Sequence, residues 1–367
     1  MKLLTVVGAR PQFIKLAPLS RYLALHHSSI EHTIVHTGQH YDANMSDVFF
    51  DELEIPHPNY NLNVGSGSHG KQTGEMLIQI EDVLLQKKPD VLIVYGDTNS
   101  TAAGALAAAK LHIPVVHIEA GLRSYNMFMP EEQNRVITDH LSQFLFCPTE
   151  TAVVNLRNEG LYDEKPTKAS RSVLHVANVG DVMYDAVLYN SEIAEKKSRI
   201  LSQLRCTPKE YILATIHRAE NTDHQNRLKI IFDAFGKLST EVILPLHPRT
   251  KRFIAQYGIK VSDNVQIIDP VGYLDMILLE KNASLIMTDS GGVQKEAYFM
   301  RTPCITLRDE TEWVETVDTG WNMLVSDLHL IPAAVDALSL VDFSRKELKK
   351  VFGDGNSAEK ILNTILG

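Results

Sequence analysis

Residues 90–121 read DVLIVYGDTNSTAAGALAAAKLHIPVVHIEAG. An unbroken apolar run at 90–97 stops at Gly96 and Asp97, and a second run at 114–121 stops at Glu119 and Gly121. Runs of this length without polar alternation fit strands buried on both faces of a parallel sheet. Between them, residues 99–112 are rich in alanine behind a polar start at Thr98, which reads as a capped helix whose small side chains approach a sheet closely. Strand, helix and strand in this order predict a parallel α/β crossover.

The same alternation continues in both directions. Further strands are expected at 3–8, 32–38 and 143–148, and a second series at 173–179, 211–217, 241–247, 265–269, 284–289, 303–307 and 323–325. A polar, proline-containing stretch at 163–172 separates the two series, and 367 residues are long for a single core. The reading is therefore an α/β chain of two doubly wound, Rossmann-like domains, 1–172 and 173–367. The terminal SAEKILNTILG has the pattern of a capped amphipathic helix, which either closes the second domain or crosses back to the first.

Composition excludes several classes. With 44% hydrophobic and 22% charged residues the chain has the profile of a folded globular protein. The formal charge of -9 disfavours nucleic acid and means that any anionic ligand must meet a local concentration of positive charge. The opening MKLLTVVGARP has an apolar run that ends at Gly8, unlike a signal peptide, and no stretch approaches the roughly 20 apolar residues of a membrane span, so a cytoplasmic protein without a membrane partner is expected. Cys147, Cys206 and Cys304 are too few and too widely spaced for a disulfide framework or a zinc site.

Ligands of open α/β sheets sit beyond the carboxyl ends of the strands, which directs attention to what those ends carry. After the first strand comes GARPQFIK, where Arg10 offers a phosphate fork and Lys15 lies one helical turn on. A plain turn with solvated cations fits the same residues. Asp97 either caps the alanine-rich helix or acts chemically. Glu119 ends an apolar run, where an ionised carboxylate is costly without a partner. Glu131 and Glu132 follow Pro130 in a helical first turn, where they also suit the helix dipole. In the second half, strands end in His217–Arg218 and His247–Pro248–Arg249. The sharpest local signal is TDSGGVQKEA, in which Ser290, Gly291 and Gly292 reach the start of a helix, an arrangement suited to an anion, with Glu296 one turn inside. Neither G-x-G-x-x-G nor a P-loop occurs.

Taken together, GARPQFIKLAPL, TGQHYD, YGDTNST, HIEAGLRS, PEEQNR, TIHRAEN and TDSGGVQKEA resemble, in order from residue 8 to 297, the motifs of the non-hydrolysing UDP-N-acetylglucosamine 2-epimerases. The resemblance implies a GT-B arrangement with the active site in the interdomain cleft, and a homodimer. It assigns Arg10, His217, Ser290, Gly291, Gly292 and Glu296 to UDP, and Lys15, Asp97, Glu119, Glu131 and His217 to the reacting sugar. It further implies gluco-to-manno inversion at C2 of a UDP-2-acetamido sugar, by elimination of UDP to a 2-acetamidoglucal and re-addition, with no cofactor and no metal. Three stretches depart from the commonest members: the segment after TGQ reads HYDANMSDVF, with one extra residue where glutamines are usual, which speaks against activation by a second UDP-sugar molecule and lies outside the residues described below; 311–315 reads TEWVE where T-E-R-P-E is usual; and HIEAGLR continues as SYNMFMPEE. These variants resemble the branch that acts on UDP-2,3-diacetamido-2,3-dideoxyglucuronate for surface polysaccharides. A GT-B glycosyltransferase is the rival reading, since fold does not fix function.

Overall fold

The structure, a computed structural model, describes residues 1–39, 50, 52–163 and 174–367. Seven parallel strands form a first sheet: β1 (Lys2–Val7), β2 (Glu31–His36), β3 (Tyr60–Asn61), β4 (Val91–Tyr95), β5 (Val115–Ile118), β6 (Phe144–Cys147) and β7 (His175–Asn178), in the order β3-β2-β1-β4-β5-β6-β7. Six more form a second: β8 (Tyr211–Thr215), β9 (Glu241–Pro245), β10 (Val265–Ile268), β11 (Leu285–Thr288), β12 (Cys304–Thr306) and β13 (Asn322–Leu324), in the order β10-β9-β8-β11-β12-β13. Each sheet grows outward in one direction and then in the other. The order reverses between β1 and β4 in the first and between β8 and β11 in the second, and such reversals open a crevice at the strands' carboxyl ends.

The stretch 90–121 folds as its pattern predicts. Every residue of β4 and β5 is buried, the two strands pair in parallel register from Leu92↔Val115 to Tyr95↔Ile118, and the helix Asn99–Lys110 joins them. Thr98 is the cap, its hydroxyl accepting from the Thr101 amide at 3.3 Å. A β-carbon on Gly104 would stand 3.2 Å from Val94, so the small residues do bring this helix close to the sheet.

One expected strand changes place. The run at 173–179 was expected to open the second series, but His175–Asn178 pairs with β6 as the outer strand of the first sheet, its His175 ring stacked on Phe144 at 5.0 Å. The exposed edge of β6 is covered by the next available extended segment, a choice that apolar patterning does not specify. The chain forms two compact units, residues 1–186 with 350–367, and residues 187–349. The expected boundary at 172/173 lies outside the described residues.

Of the two alternatives for the last helix, Ser357–Leu366, the structure takes the crossing: it packs on the helix Arg10–His26 of the first unit. Its start is fixed by the Ala358 amide donating to Asp185 Oδ2 at 2.8 Å, and the Asp181 amide donates to the Phe352 carbonyl at 2.9 Å. No helix among the described residues is long and apolar enough to cross a membrane.

Candidate active site

In the first unit, the crevice between β1 and β4 is organised by Gln12, which motif reading passed over. Its Oε1 accepts from the amides of Gly8 and Ala9 at 2.7 and 3.1 Å, and its Nε2 reaches the Tyr95 carbonyl at 2.9 Å. One buried carboxamide thus ties the exit of β1 to the exit of β4. The following turn of the same helix carries Lys15, buried like its partner, whose ammonium pairs with Glu119 at the end of β5.

Glu119 holds a φ of 71°, a left-handed conformation that costs a side-chain-bearing residue about 1–2 kcal/mol and persists where surroundings impose it. Gly96 also has a positive φ, 62°, and a β-carbon there would lie 2.9 Å from Glu119 Oε2 and 3.2 Å from Lys15 Nζ. Glycine lets the chain turn beneath the ion pair without displacing either side-chain end.

Asp97, next in sequence, is not the helix cap. Its Oδ2 accepts from Arg135 Nε and Nη2 at 3.0 and 2.9 Å, and Asn134 Nδ2 donates to its carbonyl at 3.0 Å. Arg135 also reaches Glu132 at 2.6 Å, and Glu132 accepts from the amides of Ser124 and Tyr125 at 2.9 Å each. Of the two glutamates in that first turn, Glu132 is therefore the buried structural anchor, and Glu131 presents an exposed side chain. Arg10 is likewise exposed, at the first residue of its helix.

In the second unit, Asp289 plays the part of Gln12. This fully buried carboxylate, at the end of β11, accepts from the amides of His217 and Arg218 at 3.1 Å each and from Asn221 Nδ2 at 3.0 Å. It fixes the turn after β8 so that the half-exposed His217 ring stands 3.5 Å from it. Ser290 caps the helix Gly291–Phe299, accepting from the Val293 amide at 3.5 Å. The amides of the helix's first turn have no intrahelical acceptor, and apart from the capped Val293 amide they suit the start of this helix to an anion.

A β-carbon on Gly291 would come within 2.7 Å of Glu312 Oε1. Burial acts to raise Glu312, but Arg308 at 2.9 Å and Arg218 at 3.8 Å outweigh it and hold the carboxyl below its usual range. Trp313, the residue that departs from the usual motif, is buried with the Lys295 ammonium 3.8 Å from its ring centroid. Glu296 is buried one turn inside the helix. His247 lies close enough for burial, then His217, then Arg249 to lower its pKa. Arg249 itself is engaged, its Nη2 2.6 Å from both oxygens of Asp223.

The structure therefore gathers Lys15, Asp97 and Glu119 in one place, and His217 with Ser290, Gly291 and Gly292 in another. The first arrangement is suited to moving a proton at a bound molecule, and the second to holding an anion. A family model described as UDP-N-acetylglucosamine 2-epimerase matches residues 23–366. The chain is 54% identical over 370 residues to a UDP-N-acetylglucosamine 2-epimerase homolog of Methanococcus maripaludis, covering all of this chain and 99% of the relative. It is 49% identical to the UDP-2,3-diacetamido-2,3-dideoxy-D-glucuronate 2-epimerase of Pseudomonas aeruginosa, over 98% of each. The crystal structure of Methanocaldococcus jannaschii UDP-GlcNAc 2-epimerase in complex with UDP-GlcNAc and UDP superposes with a TM-score of 0.88 at 46% identity, over all of this chain and 99% of that one. The chain belongs to the UDP-N-acetylglucosamine 2-epimerase family and is a UDP-sugar 2-epimerase, an isomerase.

Proposed function

We propose that the enzyme inverts C2 of a UDP-2-acetamido sugar by eliminating UDP and adding it back. The observation that supports this most is the Lys15–Glu119 pair over Gly96, with Asp97 alongside. C2 of such a sugar has no neighbouring carbonyl, so its hydrogen is not acidic enough for simple exchange. Elimination solves this. A carboxylate takes the C2 proton, the C–H electrons form the C1=C2 bond, and the C1–O bond breaks to release UDP. In the return step a proton reaches C2 from the opposite face and the UDP oxygen attacks C1. Asp97, Glu119 and Glu131 supply the two proton transfers, Lys15 orients Glu119, and Arg10, Ser290, Gly291, Gly292, Glu296 and His217 hold UDP as it departs and returns.

The substrate that best fits the departures from the common motifs is UDP-2,3-diacetamido-2,3-dideoxyglucuronate, giving the mannuronate epimer for surface polysaccharides. Overall identity does not choose between the branches, at 49% to the Pseudomonas enzyme and 54% to the Methanococcus homolog, so the motif departures carry the choice. The test is a side-by-side incubation of that uronate and UDP-N-acetylglucosamine in deuterated water. Faster deuterium entry at C2 of the uronate, without net release of UDP, is the expected outcome. Faster exchange in UDP-N-acetylglucosamine places the enzyme in the plain branch, and an inert C2 in both overturns the reading.

A further inference from the structure

Two residues before Glu119, β5 carries a fully buried histidine, His117. Its Nδ1 is 2.7 Å from Asp139 Oδ1, and its Nε2 is 2.8 Å from the carbonyl oxygen of Gly96. Asp139 is also fully buried, and its Oδ2 accepts from Arg123 Nη1 at 2.7 Å and from the Gly121 amide at 3.2 Å. Burial works to raise the Asp139 carboxyl, but His117 and Arg123 outweigh it and hold it below its ordinary value. Asp139 is therefore an acceptor with no hydrogen to give, and a backbone carbonyl has none either. Both ring nitrogens of His117 thus face oxygens, Asp139 Oδ1 on one side and the Gly96 carbonyl on the other. Glu159 completes the group, accepting from Arg123 at 2.6 and 2.8 Å.

The contacts fall on the turns that carry the chemistry. Gly96 immediately precedes Asp97, and Gly121 follows Glu119 by two residues. Gly96, Glu119 and Gly121 all have positive φ, 62°, 71° and 79°. The Gly96 amide still donates to the Ile118 carbonyl at 2.9 Å, and the Glu119 and Ala120 amides to the Phe146 carbonyl at 3.1 Å each, so the His117 and Asp139 contacts add a second set of ties where the ladder ends.

We propose that His117 and Asp139 are positioning residues, a buried histidine–carboxylate pair that helps fix the Asp97 turn directly and the Glu119 turn through Gly121. The proposal rests on the reading that Asp97 and Glu119 act on the sugar. The pair touches neither the sugar nor UDP. It sets how far apart and at what angle the two carboxylates stand, and displacements on the scale of an ångström are enough to cost a large part of a rate.

The test uses the full chain with Asp139→Asn, which keeps the shape and an accepting oxygen but removes the charge, and His117→Gln, which keeps a single carboxamide donor. For both, the expected result is a kcat lower by ten-fold or more, with KM and the Kd for UDP within two-fold of the unaltered enzyme.

A kcat loss matched by loss of UDP binding marks general disruption and overturns the proposal. Glu119→Gln is measured alongside. If it abolishes C2 exchange while both positioning variants keep full kcat, the positioning role fails and the functional reading stands. If Glu119→Gln turns over normally, the functional reading fails and the positioning role goes with it. Should Asp139→Asn not fold, the kcat, KM and UDP Kd of His117→Gln decide the matter.

Discussion

The two sheets offer the same topological position, the carboxyl ends of the strands that flank their order reversal, and they equip it in opposite ways. Beyond β1 and β4, Lys15 and Glu119 are paired and buried, and Asp97 is gripped by Arg135 with a third of its side chain still open. Beyond β8 and β11, Ser290, Gly291 and Gly292 bring helix-start amides to a partly open surface beside a half-exposed histidine. A group that must exchange a proton has to be held in one place against the cost of burial, which calls for a built-in partner. An anchor for a diphosphate has to keep its donors for the ligand. Even their organisers differ accordingly, a neutral carboxamide at Gln12 and a carboxylate at Asp289 that gathers amides.

That contrast can be broken most directly at Asp97. Asp97→Asn keeps the shape of the side chain and is expected to lower kcat by roughly 10²–10⁴-fold while leaving the calorimetric Kd for UDP within two-fold. A parallel loss of UDP affinity would mean that the two arrangements do not divide the work. The converse change is Gly291→Val, whose side chain must displace Glu312 Oε1, 2.7 Å from where its first carbon would sit. Losing a charge-assisted hydrogen bond at the phosphate is expected to weaken UDP by about 10- to 100-fold, with kcat at saturating substrate much less affected.

The smallest effect concerns Asp185, a half-buried carboxylate with no cation beside it among the described residues. Asp185 accepts from the Ala358 amide, and burial raises it to about 6. Because its folded value lies above its ordinary 3.8, the folded protein binds the extra proton between those limits. This group's contribution is most favourable below that window, and stability falls as pH rises through it. Asp185→Asn, followed by chemical denaturation at pH 4 and pH 7, is expected to remove a pH-dependent loss of at most about 3 kcal/mol. An unchanged pH slope would show that burial without a cation is less costly here than the contrast with Glu119 implies.

What the sequence disclosed follows from which signals are local. The runs that became β4, β5 and β11 are continuous, apolar and fully buried, and the helix between β4 and β5 starts at the cap its residues specify. Strand β7 was assigned to the wrong sheet because its residues are half-buried or exposed and its partner is set by the open edge of β6. Strand β3, two residues long, leaves no pattern. Glu119 stood out because a charge ending an apolar run demands explanation, and the same reasoning applied to LIMTD would have found Asp289. Gln12, Glu132 and Arg135 could not be found this way. Gln12 meets Tyr95 across 83 positions and Arg135 meets Asp97 across 38, and nothing local distinguishes such residues from solvated polar groups.

The most direct test of the division of work between the two arrangements is made on Glu119→Gln, measuring UDP binding by calorimetry and deuterium entry at C2 of the preferred UDP-sugar in the same preparation. The account expects UDP to bind within two-fold of the unaltered enzyme while C2 exchange falls by at least a hundred-fold. Exchange at the unaltered rate, or loss of UDP binding in step with exchange, would contradict it.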